Sequence, residues 1–396
     1  MNEIVEIRDG IYWIGAKDPQ LRVFDDLYPT KYGTTYNSYL VRGNGKTAII
    51  DTVKAKYAEE YLGKIRQLID PAEVDYVIVN HTEPDHSGSL SYLLEHCPRA
   101  KVISSQAAAT FLGNQIHTPF ASHVIKDGET IDLGGRTLRF VIAPFLHWPD
   151  TMFTHLAEDG ILFTCDAFGA HYCGESLFND ECPDITGEMH FYYDCLIRPF
   201  KDKVLAALAK VGSLEIGMIC PSHGPILRSD PQRAVQLYRE WSTPKHETGK
   251  KVVILYMSPH GNTRKMAAAI AKGASVPGVE VISCHFPEQS PDEIRDLMEQ
   301  ADALIFGVPT VNRDVPPPIW TVLSYLSTVK LKTNIGAVFG SFGWSGEACK
   351  LAEERLKGVN FQLPVPAVRA QFTPRPPVLE QCRVLGQTIA EEVLMK

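Results

Sequence analysis

Apolar residues along the chain fall into short runs whose rhythm changes once. Up to Trp241, β-rich runs at Ile11 to Ile14, Ser38 to Val41, Thr47 to Ile50, Tyr76 to Val79, Lys101 to Ser104, Thr137 to Ile142 and Ile161 to Thr164 alternate with a few helical patterns such as Tyr57 to Ile69. That pattern predicts strands with helices packed outside them. Beyond Lys250, runs at Lys251 to Met257, Glu280 to Cys284, Ala303 to Val308 and Ile335 to Gly340 alternate with helical stretches, the βαβ rhythm of a parallel sheet. The polar stretch from Ser242 to Lys250 interrupts all periodicity, as a linker does, so the boundary is placed between domains 1–248 and 249–396. Gly33 to Ser38 and the Pro316 to Pro318 cluster read as loops.

Composition narrows the class of protein. A chain of 396 residues favours two or three domains, each able to bury a core. Lys plus Arg total 39 against 47 Asp plus Glu, a formal charge of -8, so no global field draws the chain to nucleic acid or to anionic lipid. The longest apolar runs are strand-sized, far short of the roughly 20 residues that span a bilayer, and residues Met1 to Pro29 carry no secretory pattern. Nine cysteines occur singly with no C-x-x-C pair, which predicts reduced thiols in the cytoplasm and no built-in rubredoxin or ferredoxin module.

The densest chemistry is His81-Thr-Glu83-Pro-Asp85-His86, directly after the apolar run Val77 to Val79. A strand end fixes the backbone while the loop aims alternate side chains at one point. His147, Asp166 and His223 each follow a further strand-like run. Seven ligand-type side chains exceed the needs of one metal, and two metals sharing a carboxylate fit better. Three carboxylates among the seven suit iron, with manganese or zinc left open.

These positions and spacings resemble the flavodiiron proteins (A-type flavoproteins) across essentially the whole chain, including Gly33-Thr-Thr-Tyr-Asn37, Leu146-His-Trp-Pro-Asp150, Cys165-Asp-Ala-Phe-Gly-Ala-His171 and Pro221-Ser-His-Gly-Pro225. The resemblance implies an α/β architecture: an N-terminal αββα metallo-β-lactamase-like sandwich, then a flavodoxin-like doubly wound parallel sheet. Glu83 stands where the zinc hydrolases of that superfamily carry a histidine. The resemblance puts His81, Glu83 and His147 on one iron, Asp85, His86 and His223 on the other, and Asp166 between them. In some family members the histidine matching His86 swings away. His171 and Tyr193 resemble groups beside the open coordination positions, where they would hydrogen-bond bound oxygen species or relay protons; Tyr193 reads equally as a core aromatic beside Tyr192.

In the second domain, Ser258-Pro259-His260-Gly261-Asn262-Thr263 follows a strand run and opens a helical stretch. Such a loop offers N–H groups and hydroxyls to a phosphate, although Thr263 also reads as an ordinary helix cap. Two later loops, one carrying Pro309, Thr310, Val311 and Asn312, the other Ser341, Phe342, Gly343, Trp344, Ser345 and Gly346, occupy the edge where doubly wound sheets bind ligands. Together they describe an FMN site of flavodoxin type. No G-x-G-x-x-G occurs at the first turn, which disfavours a dinucleotide, and Val308 stands where a serine is common in the family.

Two irons and a flavin store four electrons, enough to take O2 to water, and paired irons also suit coupling of two NO molecules to N2O. The expected activity is therefore reduction of O2 and/or NO. The electrons would come from a rubredoxin-type protein or reduced deazaflavin F420 (F420H2), and the family implies a head-to-tail homodimer or a dimer of dimers. The rival readings are a zinc hydrolase and a plain electron carrier with an appended flavodoxin domain.

Overall fold

The computed structural model describes residues 3–244 and 249–396, so the predicted boundary after residue 248 lies outside the described residues. The chain divides into two compact units, Met1–Thr243 and Pro244–Lys396.

In the first unit two sheets face each other. One has seven strands in the order Val5–Arg8, Ile11–Trp13, Tyr39–Arg42, Thr47–Ile50, Tyr76–Val79, Lys101–Ser104 and Ser122–Val124. The other has five: Thr130–Asp132, Thr137–Ile142, Met152–Leu156, Ile161–Cys165 and Met218–Pro221. Strand alternation decides which residues fill which layer. Ile78 joins Trp13, Phe140 and Phe163 between the sheets, whereas its neighbours Val77 and Val79 pack outward on Tyr61, Leu62 and Ile65 of the helix Ala58–Leu68. On the far side, Phe153 and Leu162 pack on Val204 and Leu208 of Lys201–Val211 and on Tyr238 of Pro231–Ser242. The result is the expected αββα sandwich.

Two expected loops are partly regular. Within Gly33 to Ser38, Thr34–Tyr36 forms a buried strand paired with Ala16–Asp18, because two β-branched residues and an aromatic gain both ladder bonds and burial there. The proline cluster opens the helix Pro317–Ser324, where a missing N–H costs no hydrogen bond.

The second unit is a five-stranded sheet in the order Val279–His285, Lys250–Tyr256, Ala303–Gly307, Gly336–Phe342 and Val368–Gln371, every neighbour parallel. Helices Asn262–Ala274 and Pro376–Met395 cover one face, and Pro291–Gln300, Pro317–Ser324 and Ala348–Gly358 the other. Strand order reverses between Lys250–Tyr256 and Ala303–Gly307, and the carboxyl edge there is the crevice such sheets use for ligands. Among the described residues, no helix is long and apolar enough to cross a membrane.

Candidate metal centre and flavin loops

The metal constellation begins where the strand Tyr76–Val79 ends. Buried Asp51 accepts hydrogen bonds from the backbone N and side-chain Nδ2 of Asn80 at 2.7 and 3.0 Å, and Asn80 Oδ1 accepts from Thr154 Oγ1 of the opposite sheet at 2.7 Å. This knot pins the start of the loop to both sheets. Pro84 then opens a short helix, Pro84–Ser87, whose turn carries Asp85 and His86 inward. Cys165 takes a left-handed backbone, φ 51°, which swings Asp166 off its strand line. Gly224 follows His223 at φ 80°, where a Cβ would stand 2.6 Å from the Ala170 carbonyl oxygen, so the turn needs glycine.

These elements gather all seven predicted ligands into two adjacent groups, linked by the approach of Asp166 to His86. One holds His81, Glu83, His147 and Asp166, the other Asp85, His86 and His223, and within each group the ligand atoms lie within 4.8 Å of one another. Glu83 Oε2 stands 3.3 Å from His81 Nε2 and 3.0 Å from His147 Nε2. Asp85 reaches His223 Nε2 at 3.1 Å and His86 Nε2 at 3.4 Å. Asp166 divides its oxygens: Oδ2 lies 3.5 and 3.6 Å from His81 and His147, and Oδ1 lies 3.0 and 3.6 Å from His86 and His223. Both oxygens of Asp85, Asp166 Oδ2 and the Nε2 atoms of His86 and His223 are buried without a hydrogen-bond partner. Leaving such atoms desolvated and unpaired is costly. Their convergence fits two cations joined by the Asp166 carboxylate.

The outward nitrogens of the imidazoles are held as ligand histidines require. His81 Nδ1 donates to Asp150, whose oxygens lie at 3.1 Å, and Asp150 Oδ2 also accepts from Thr82 N and Oγ1 at 2.8 Å. His223 Nδ1 donates to the Thr35 carbonyl at 2.6 Å. Charge balance inside the cluster is strong. Burial works against ionisation of Asp85, but His86 and His223 overcome it and bring the carboxyl down to about 2. Burial likewise opposes a charged His81, yet hydrogen bonds to Asp150 and Glu83 and the Asp166 charge raise it well above the usual histidine range. Cations binding here displace those imidazole protons.

Of the two groups expected beside the centre, His171 is there. It is buried, its Nδ1 lies 3.2 Å from Thr34 Oγ1, and its ring centroid stands 5.8 Å from that of His223. Tyr193 is not. Its hydroxyl bonds Ser242 Oγ at 2.9 Å, and its ring packs on Tyr238 and Trp241. The preceding residue faces the ligand cluster instead: Tyr192 OH donates to Asp166 Oδ1 at 2.9 Å. Neighbours on a helix point about 100° apart, so the end of Thr186–Tyr192 can aim only one of the two tyrosines at the site. Tyr192→Phe should therefore weaken iron retention about 10- to 100-fold, the usual cost of removing a ligand's outer partner, while Tyr193→Phe leaves it unchanged. Iron per chain after dialysis against a graded chelator series checks both.

Sequence reasoning missed Asp150 and Tyr192 as supports, although both sit beside residues it did single out. Their signal was short-range: a carboxylate three positions after His147, and a second tyrosine on a helix that ends at the site.

The three loops of the second unit also come together. Ser258 Oγ accepts from Arg264 N at 3.0 Å, and Gly261, φ 77°, caps the helix Asn262–Ala274. Thr263 is therefore inside the helix and not its cap; its hydroxyl meets Ser341 Oγ of the third loop at 2.9 Å. Thr310 N bonds Ser341 O at 3.1 Å, and Arg313 beside Asn312 pairs with Glu347 at 3.0 Å, which ties the second loop to the third. Hydroxyls from Ser258, Thr263 and Ser341 beside the start of a helix are a donor set suited to a phosphate dianion. Trp344 is 74% exposed and no part of the core, which leaves its ring available to a ligand at this edge. Val311 is also exposed, whereas Val308 is fully buried.

Comparison with known proteins follows the same division. Residues 34–224 match a family model described as ODP family beta lactamase, and residues 254–386 match the flavodoxin model. A type A flavoprotein of Rhodobacter capsulatus is 39% identical over 397 residues, covering 98% of this chain and 91% of its own length. A protein of Moorella thermoacetica named nitric oxide reductase is 36% identical over 400 residues, covering 99% and 100%. The solved rubredoxin oxygen:oxidoreductase of Desulfovibrio gigas superposes with a TM-score of 0.71 at 34% identity, covering 99% of both chains.

Proposed function

This chain belongs to the flavodiiron, or type A flavoprotein, family of oxidoreductases, and from that premise we propose that it reduces O2 to water and/or NO to N2O with electrons from an external donor. Its cofactors are a di-iron centre and FMN. When bound, the irons supply the gas-binding positions and the flavin a two-electron store. The observation that carries the reading is the buried pocket in which Asp166 turns one oxygen to each histidine pair, with Glu83 between His81 and His147. A site that must change oxidation state gains from anionic oxygen ligands, whereas a zinc hydrolase site leans on neutral imidazole.

In this reading His81, Glu83 and His147 hold one iron, Asp85, His86 and His223 the other, and Asp166 spans both. Asp150 and the Thr35 carbonyl orient the imidazoles, and Tyr192 orients the bridge. Burial, then the neighbouring His223, pushes His171 down to about 3, so it serves as a neutral hydrogen-bonding group and leaves the charge of the centre unaltered. In the domain 249–396, Ser258 to Thr263 hold the flavin phosphate, while Pro309 to Asn312 and Ser341 to Gly346 bracket its rings. The names of the relatives support both gases, and that of the Desulfovibrio protein supports a rubredoxin-type donor, with F420H2 as the alternative. A cytoplasmic head-to-tail homodimer, alone or paired as a tetramer, would bring each flavin to a partner's irons.

The test is elemental analysis and an absorption spectrum on anaerobically purified protein, then O2 and NO consumption with a chemical reductant. The expected content is about two irons and about one FMN per chain, with turnover of at least one gas. Zinc in place of iron, or no flavin, would return the assignment to a hydrolase.

A further inference from the structure

An open cleft of about 360 Å³ lies beside the metal site, lined by residues 29–31, by Glu188 and Phe191 of the helix Thr186–Tyr192, and by His171. At about 30 Å³ per water molecule, that is room for on the order of ten waters, far more than a diatomic gas requires. His171 joins this cleft to the ligands, since its ring lies 5.8 Å from that of His223. A third ring, which does not itself line the cleft, packs on both histidines. Phe24, 3% exposed, stands 4.3 Å from the His171 centroid and 5.2 Å from that of His223.

Phe24 is carried on an unusual support. Val23–Phe24 pairs with Tyr28–Pro29 in a two-stranded ladder that joins neither sheet of the sandwich. Its turn residues Asp25 and Asp26 have φ of 49° and 56°, and Leu27 at the tip is 66% exposed. Beyond its own bonds, the hairpin is held by the Phe24 ring, by Lys54, whose Nζ is 3.4 Å from Asp25 Oδ1 and 5.6 Å from the Phe24 centroid, and by half-buried Tyr28, whose hydroxyl donates to the Cys195 carbonyl at 3.4 Å. So short a ladder with one buried anchor opens at a lower free energy than the sheets beneath it.

We infer that Phe24 is a specificity-determining gate residue: its ring, wedged against His171 and His223, passes diatomic gases from the cleft to the metal ligands and holds back larger anions and chelators. This rests on the metal centre proposed above. Uncharged gases cross a transient ring-sized opening, whereas an anion must shed its hydration to cross the same apolar opening and a bulky aromatic chelator needs the hairpin to lift.

The test compares Phe24→Ala, Phe24→Leu and the tip control Leu27→Ala in the full-length holoprotein. Azide association and dissociation are followed by absorption in the oxidised protein, and iron release to a bulky sulfonated chelator in the reduced one. For Phe24→Ala both azide rates and the release rate should rise about tenfold, because the opening no longer requires extraction of a buried ring. The azide Kd should stay within about twofold, since a gate changes rates and not the end states. Leu27→Ala should match the unaltered protein in every readout, gas turnover included. A merely structural role would shift Kd without speeding association. Phe24→Leu, which keeps most of the packing volume, should give a smaller rise of the same kind and decides the matter if the alanine variant loses its metal. Unchanged association and release in a metal-retaining variant would overturn the gate. Running the release assay on cobalt(II)-loaded protein judges the gate even if iron is not the native metal, and absent gas turnover alongside a working gate would reject only the proposed activity.

Discussion

Replacing Asp166 with alanine is expected to strip both irons from the chain while FMN stays bound. The carboxylate is 1% exposed and meets four histidines, two through each oxygen, at 3.0 to 3.6 Å. No other side chain of the cluster reaches both ligand groups in this way. Its removal takes an anionic ligand from each metal at once and leaves the Tyr192 hydroxyl without its acceptor in a buried place. The loss should exceed the 10- to 100-fold usual for an outer partner, so iron retention should fall by more than about 100-fold. Asp166→Asn keeps the shape but not the charge and should fall in between. Elemental analysis, flavin absorption and gas turnover on the same sample check the result. Full iron content with normal turnover in the alanine variant would show that another group bridges the metals.

How far this centre was legible in the sequence depends on the range of the information. Ligands announce themselves locally, because each needs a strand end directly before it: His81 after Tyr76–Val79, Asp166 after Ile161–Cys165, His223 after Met218–Pro221. Long β-rich runs were also legible, and Thr47–Ile50, Tyr76–Val79, Lys101–Ser104 and Thr137–Ile142 match their expected bounds. Met152–Leu156 was not, since Thr154 and His155 break its apolar run although all five positions are buried, so neither a continuous run nor an alternation marks it as a strand. The choice between Tyr192 and Tyr193 depends on helix phase, which a one-residue shift inverts and which the following turn of wider helix, Tyr193–Ile197, makes harder to fix from composition. Phe24 had no sequence signal at all. Its importance comes from touching His171 and His223, residues far away along the chain.

The complementary result is expected from Gly340→Ala, which should expel FMN and leave the irons in place. Gly340 lies in the strand Gly336–Phe342, just before the third flavin loop. A Cβ there would stand 2.0 Å from the Val308 carbonyl oxygen and 3.0 Å from Cys349 Sγ. The Val308 backbone cannot simply retreat, because its N–H donates to Phe339 O at 2.8 Å and Gly307 is paired with Phe339 in the ladder. Overpacking of this kind costs about 1 to 3 kcal/mol even where side chains can yield, and here the obstacle is backbone. The cheaper relief is to part the Val308 and Gly340 strand ends, and these lead into two of the three loops proposed to bracket the flavin. Since each 1.4 kcal/mol is about tenfold in affinity, the FMN Kd should rise at least about tenfold, read from flavin fluorescence on release. Iron content should not change, because every metal ligand lies in the other unit. Two variants that each remove one cofactor and spare the other would show that the units hold their groups independently and that turnover requires both. A Gly340→Ala protein that keeps its flavin affinity and its thermal transition would instead show that the loops absorb the extra carbon without moving the site.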